Sequence, residues 1–207
     1  MKRIREFLNS DESFAVRIFQ VISFGGVLAA IAGCITNAIS GLPFGVTLGT
    51  LFGGLAVFLL AVFVTKTKQT EVGGCLLVIF FNCFLLPMMF FTSGGVNSGI
   101  SAWFVLGIFV VFLLVKGKLF WTMLILSISS MIITYLAAYY NPEKVIPLAD
   151  EFTSYEDIIF SILIVTIIIG LIIRFQNRVY REEQEKVIRQ NKELEHLSNA
   201  RNKFFTN

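Results

Sequence analysis

Six apolar runs, separated by short polar or glycine-rich breaks, occupy the chain up to Ile173; from Arg174 the pattern becomes charged, with apolar residues recurring at helical spacing. An α-helix needs about 20 apolar residues to cross a hydrocarbon core of about 30 Å. The runs predict spans at about Ile18 to Ala38, Phe44 to Val64, Val72 to Phe91, Ala102 to Val115, Leu119 to Tyr139 and Ile158 to Ile173. The fourth is short unless the Gly-Ile-Ser stretch before it is helical. The expected architecture is an all-α membrane protein with an N-terminal arm (1–17), a six-span bundle (18–173) and a long cytoplasmic signalling helix or coiled coil (174–207).

Breaks within the runs refine this picture. Gly41, Gly45, Gly49 and Gly53 recur every fourth residue and strip one face of the second span, for packing within the bundle or for a dimer face or ligand groove. Asn82 needs a hydrogen-bonding partner in hydrocarbon, which places it on an inward face, and Pro87 predicts a kink or break near the outer end of the third span. Residues 92–103, TSGGVNSGISAW, form the longest glycine-rich stretch, with Asn97 among its neutral polar groups. They read as a sensing loop or a plain turn. Residues 141–157 form the acidic loop, with Glu143, Asp150, Glu151, Glu156 and Asp157 against Lys144. A cation or basic peptide would be attracted there, although the spacing is not that of a calcium loop. Trp121, Tyr135, Tyr139 and Tyr140 fit an aromatic belt at the two interfaces.

Composition agrees with the pattern: 56% of the residues are hydrophobic and 15% charged, against about 25% charged in an ordinary soluble domain. The net charge of +3 gives no reason to expect nucleic acid as a partner. The placement of the Lys and Arg residues is more informative. Of seventeen, Lys144 alone falls in a loop assigned outside, which places both termini in the cytoplasm by the positive-inside rule. Arg17, at the start of the first span, is expected to snorkel to that interface. The leader MKRIREFLNSDE mixes both charge signs and does not read as a cleavable signal.

The spans carry no acid or Lys away from their ends, which disfavours an ion-coupled transporter or a membrane enzyme. No catalytic, cofactor-binding or metal-binding set is identified. Cys34, Cys75 and Cys83 lie in apolar runs and read as packing residues, and His196, flanked by Glu193 and Glu195, as a solvated helix position.

In the tail, a heptad frame puts Ile173, Tyr180, Val187 and Leu194 at a sites and Leu197 and Phe204 at d sites, interrupted by Glu183, Gln190 and Arg201. This seam favours a homodimer whose register stays adjustable. The run NKELEHLSNARNKFFTN, residues 191–207, resembles the entry to the dimerisation and phosphoacceptor domain of bacterial sensor histidine kinases. There an (A/S)-(K/R)-x-x-F-(L/F)-(A/T)-x stretch leads into Met-Ser-His-Glu, and Ala200, Arg201, Lys203, Phe204, Phe205, Thr206 and Asn207 match the approach.

The resemblance implies a multi-pass protein of the bacterial inner membrane, cut at the first helix of the dimerisation domain. Its parent would phosphorylate a histidine using ATP and magnesium and pass the phosphoryl group to a response regulator. These residues would contain neither the phosphoacceptor nor the ATP-binding domain, and need no cofactor of their own. Arg174, Tyr180, Val187, Leu194, Leu197, Phe204 and Phe205 then become the signal-transmission helix, and Asn82, Pro87, Asn97, Gly45 and Gly49 the candidate sensing or packing positions. Alternatives are a sensor for another output, such as a cyclic-dinucleotide synthase, or a small transporter or channel.

Overall fold

The middle helices begin and end close to the limits of the apolar runs, and the last continues well beyond its run. A computed structural model describes residues 14–39 and 44–205. The helices are α1 (Phe14–Ile39), α2 (Phe44–Thr67), α3 (Thr70–Thr92), α4 (Ile100–Leu114), α5 (Gly117–Tyr140) and α6 (Glu151–Phe205), with short 3-10 turns at Gly95–Asn97 and Pro142–Lys144. All regular structure among the described residues is helical. Five of these helices are long and apolar enough to span a membrane; α4, at 15 residues, is the short one. The chain divides into two units, one ending at Ile169 and the other beginning at Gly170.

Within the first unit, α1 and α2 form the most extensive pairing, and α3 bridges α2 to α4 and α5. Close approach rests on missing side chains. A Cβ on Gly54 would press on Ala30 and one on Gly26 would press on Val57, so α1 and α2 meet at small residues. Gly49 and Gly53 lie against Met88 and Leu85 of α3, whereas Gly45 faces open space; Gly41 lies outside the described residues. The link between α2 and α3 is only Lys68 and Gln69, shorter than the 65–71 loop expected.

Arg17 lies near the first described residues of α1, next to the enclosed Val16 and Ile18, and is 7% exposed. The next residue but two, Gln20, donates to Thr65 Oγ1 of α2 at 3.3 Å.

The break expected at Pro87 takes a specific form. Phe80–Leu85 is a π-helical turn, within which the Leu86 N–H reaches back to Phe81 O. That shift of one residue deprives the Asn82 carbonyl of its ordinary donor, Leu86. Its π-type donor would be Pro87, which has no N–H. Ser130 Oγ of α5 supplies the missing donor at 2.8 Å. The Asn82 side chain, 1% exposed, donates from Nδ2 to Gly107 O of α4 at 3.2 Å. A Cβ on Gly107 would collide with Asn82 Oδ1, so the asparagine fits only because that position is glycine. One polar knot thereby joins α3, α4 and α5.

Toward the loop-bearing end, Leu86, Phe90, Ile100, Phe104 and Ala138 form a buried cluster. Tyr135 packs its ring 4.8 Å from that of Phe90, and its hydroxyl hydrogen-bonds Ser101 Oγ. Tyr135 is thus a core residue, unlike the exposed Tyr139 and Tyr140.

Gly107→Ala and Ser130→Ala should each lower the thermal midpoint of the detergent-solubilised chain, the first by overpacking worth about 1–3 kcal/mol and the second by orphaning a buried carbonyl at a similar cost. Gly45→Ala, which meets no neighbour, should be neutral or slightly stabilising. Equal midpoints for Gly107→Ala and Gly45→Ala would contradict this packing.

Candidate functional site

The two longer loops, 93–99 and 141–150, meet at one end of the bundle. Gly94 N–H donates to Ile146 O at 3.0 Å, and Ile146 N–H donates to Phe91 O at 2.8 Å. Gly94 and Gly95 have φ of 90° and 60°, a conformation that favours glycine and lets the chain reverse within a single 3-10 turn. Ser98 Oγ closes that turn by donating to Gly95 O at 2.7 Å.

The 93–99 loop is also tied to the start of α6. Gly99 N–H donates to Asp157 Oδ2 at 2.7 Å, and Trp103 Nε1–H donates to Ser161 Oγ at 3.3 Å. A side chain on Gly99 would collide with Ser161, so backbone and helix touch directly. Asp157 and Ser161 are four residues apart, on one face of α6. They form a latch between the loop and the helix.

The expected acidic loop is shorter than its charge pattern implied. Residues 151–157 are helical, so Glu151, Glu156 and Asp157 belong to the first turns of α6. Asp150 precedes that helix, and its Oδ1 accepts the Thr153 N–H at 2.7 Å, in the manner of an N-cap. Hydrogen bonding to Thr153 holds the Asp150 carboxyl below its ordinary pKa. The cap therefore stabilises the helix start above the usual carboxylate range and loses this contribution as pH falls through the lowered value.

Between these parts lies an open cleft of about 910 Å³. Its walls come from the 93–99 loop (Val96 and Asn97), from α5 (Tyr135 and Tyr139), from the 141–150 loop (Val145, Pro147 and Leu148), and from the α6 start (Asp150, Glu151 and Tyr155). Asp150 and Glu151 are the charged residues lining it, and both are acidic.

The expected positions are thus dispersed. Asn97 lines the cleft. Asn82 and Pro87 lie at the π-turn in α3, and Gly49 lies on the α2–α3 contact. In the second unit, Tyr180, Val187 and Leu194 are all exposed, at 57%, 53% and 64%, and repeat at seven-residue intervals. Arg174 and Ile173 share that exposed character. The side chains of Leu197, Phe204 and Phe205 lie outside the described residues. Arg178 and Glu182 form an i,i+4 ion pair at 3.1 Å, and Gln184 Nε2 donates to the Tyr180 hydroxyl at 2.9 Å.

Asp157, Ser161 and Tyr155 were not singled out by the sequence pattern. Asp157 read as one acid among five, and its partner Gly99 lies 58 residues away. The available signal was a carboxylate opening an apolar segment, where a charge needs a donor.

No protein-family model, curated protein or solved structure matches the chain.

Asp157→Ala should raise the hydrogen-exchange rate of the Gly99 amide by about ten- to a hundredfold, as expected for losing a hydrogen bond to a charged acceptor. Asp157→Asn, which keeps an acceptor oxygen, should have a smaller effect. Unchanged Gly99 protection in Asp157→Ala would rule out the latch.

Proposed function

We propose that this chain is the sensory and signal-transmitting membrane region of a bacterial two-component sensor histidine kinase, acting as a homodimer. The observation that carries this reading is the run from Asn191 to Asn207, with its Ala-Arg-Asn-Lys-Phe-Phe-Thr approach to a phosphoacceptor helix. Two further features support it. Helix α6 includes both the apolar stretch 158–173 and residues 191–205 of that run. The exposed Tyr180, Val187 and Leu194 are spaced as one seam of a parallel pair.

Six crossings would include the short α4 and put both termini on one face of the inner membrane. Lys66 and Lys68 at the α2–α3 link, with Lys116 and Lys118 at the α4–α5 link, support a cytoplasmic assignment of that face, with Lys144 alone in the link between α5 and α6. The cleft then opens outward.

The mechanism uses α6 at both ends. A stimulus at the cleft alters how the 93–99 loop holds Asp157 and Ser161, and so favours one of two positions of the helix. A rotation or small slide of α6 changes the pairing of the Tyr180, Val187 and Leu194 seam. Coupling of about 1–3 kcal/mol gives several-fold to hundredfold control. The catalysis belongs to downstream domains of the parent, which bind ATP and magnesium and pass the phosphoryl group to a response regulator.

Insertions within 174–190 of the full-length parent test this reading. Adding two or four residues rotates the seam and should lock autophosphorylation on or off, whereas adding seven should restore control. Output indifferent to this phase would overturn the mechanism. The coding sequence downstream checks the output itself. Met-Ser-His-Glu supports the kinase, and a Gly-Gly-(Asp/Glu)-Glu-Phe signature would assign the same connector to a cyclic-dinucleotide synthase.

A further inference from the structure

The cleft at the loop end has a composition that selects a ligand class. Tyr135, Tyr139 and Tyr155 contribute aromatic rings, and Val96, Val145, Pro147 and Leu148 supply apolar wall. Tyr139 and Tyr155 are 77% and 60% exposed, and the Tyr139 ring also makes a T-shaped contact with Tyr140 at 5.3 Å. The charges come from Asp150 and Glu151, with no Lys or Arg among the lining residues. Lys144, in the neighbouring 3-10 turn, is not part of the wall.

Each element argues against an anion. The start of α6 would attract one through its free N–H groups, but Asp150 already accepts the Thr153 N–H, and Glu151 adds a second negative charge to the first turn. Asp150 Oδ1 takes that bond, and the residue lines the cleft. Aromatic faces beside carboxylates favour a cation whose charge is diffuse and whose body is apolar, because ring quadrupole, carboxylate and apolar wall then act on the same molecule. The volume of about 910 Å³ falls in the range of small-molecule sites.

We infer that the cleft binds an organic cation of the alkyl- or arylammonium class, held by Tyr139 and Tyr155 with Asp150 and Glu151 supplying the counter-charge. This rests on the sensory reading only for its consequence: a ligand there touches the 93–99 loop and the first two turns of α6 together. Binding itself is a property of the chain alone and is measured without any kinase output, so that either reading can fail while the other stands.

The test is calorimetric titration of the full purified chain in maltoside micelles with benzyltrimethylammonium, and with benzenesulfonate as an aryl anion of similar size. Benzyltrimethylammonium should bind saturably and benzenesulfonate should not. The double variant Asp150→Asn, Glu151→Gln keeps a competent N-cap and should weaken binding about tenfold. Tyr139→Leu with Tyr155→Leu should weaken it by a similar factor. A thermal midpoint for each variant establishes that it is folded. Comparable affinity for both probes, no saturable binding of the cation, or undiminished affinity in the folded charge variant would overturn the inference. Repeating the titration in phosphatidylcholine and in galactolipid nanodiscs identifies the source. Weaker apparent binding in phosphatidylcholine assigns the cleft to a lipid choline headgroup, and equal binding assigns it to a soluble cation.

Discussion

A backbone carbonyl in apolar surroundings must find a donor, and the arrangement of α3, α4 and α5 follows from how one such carbonyl is satisfied. Pro87 removes an N–H, the π-turn at Phe80–Leu85 shifts the ladder by one residue, and the Asn82 carbonyl is left without a main-chain donor. Ser130 fills that role from α5. Asn82 itself reaches across to the backbone of Gly107 on α4. An unsatisfied group of this kind costs several kcal/mol in hydrocarbon, which sets the relative height of three helices without any charged residue. Hydrophobic burial alone would not fix that height, because apolar side chains gain little by facing one another instead of lipid.

The loop end uses the same logic with different donors. The Gly94 N–H finds an acceptor in Ile146 of the neighbouring loop, the Ile146 N–H in Phe91 at the end of α3, and the Gly99 N–H in Asp157. The tie from Gly99 to Asp157 places a charged acceptor at the point where the 93–99 loop touches α6.

Much of the helical layout was legible, because a run long enough to span is distinctive and short loops leave little freedom. Helix limits shifted most where charge and helicity coincide. Glu151, Glu156 and Asp157 suggested a loop, yet Asp150 caps a helix there, a pattern readable from an Asp three residues before Thr153. Pro87 marked the break in α3. Its form could not be read locally, since the compensating hydroxyl is on Ser130, 48 residues from Asn82. In the tail, the seven-residue spacing of Tyr180, Val187 and Leu194 needed no long-range information, and all three are exposed.

The brevity of α4 has a consequence for the surrounding lipid. Its 15 residues rise about 22 Å at 1.5 Å per residue, several ångströms less than a typical hydrocarbon core. Were α4 to cross, the deficit would fall at its ends, and at one of them the 93–99 loop continues the path. Thicker bilayers would stretch this mismatch and thinner ones relieve it, at fractions of a kcal/mol per Å. Acyl-chain length would then bear on the same loop that holds Asp157.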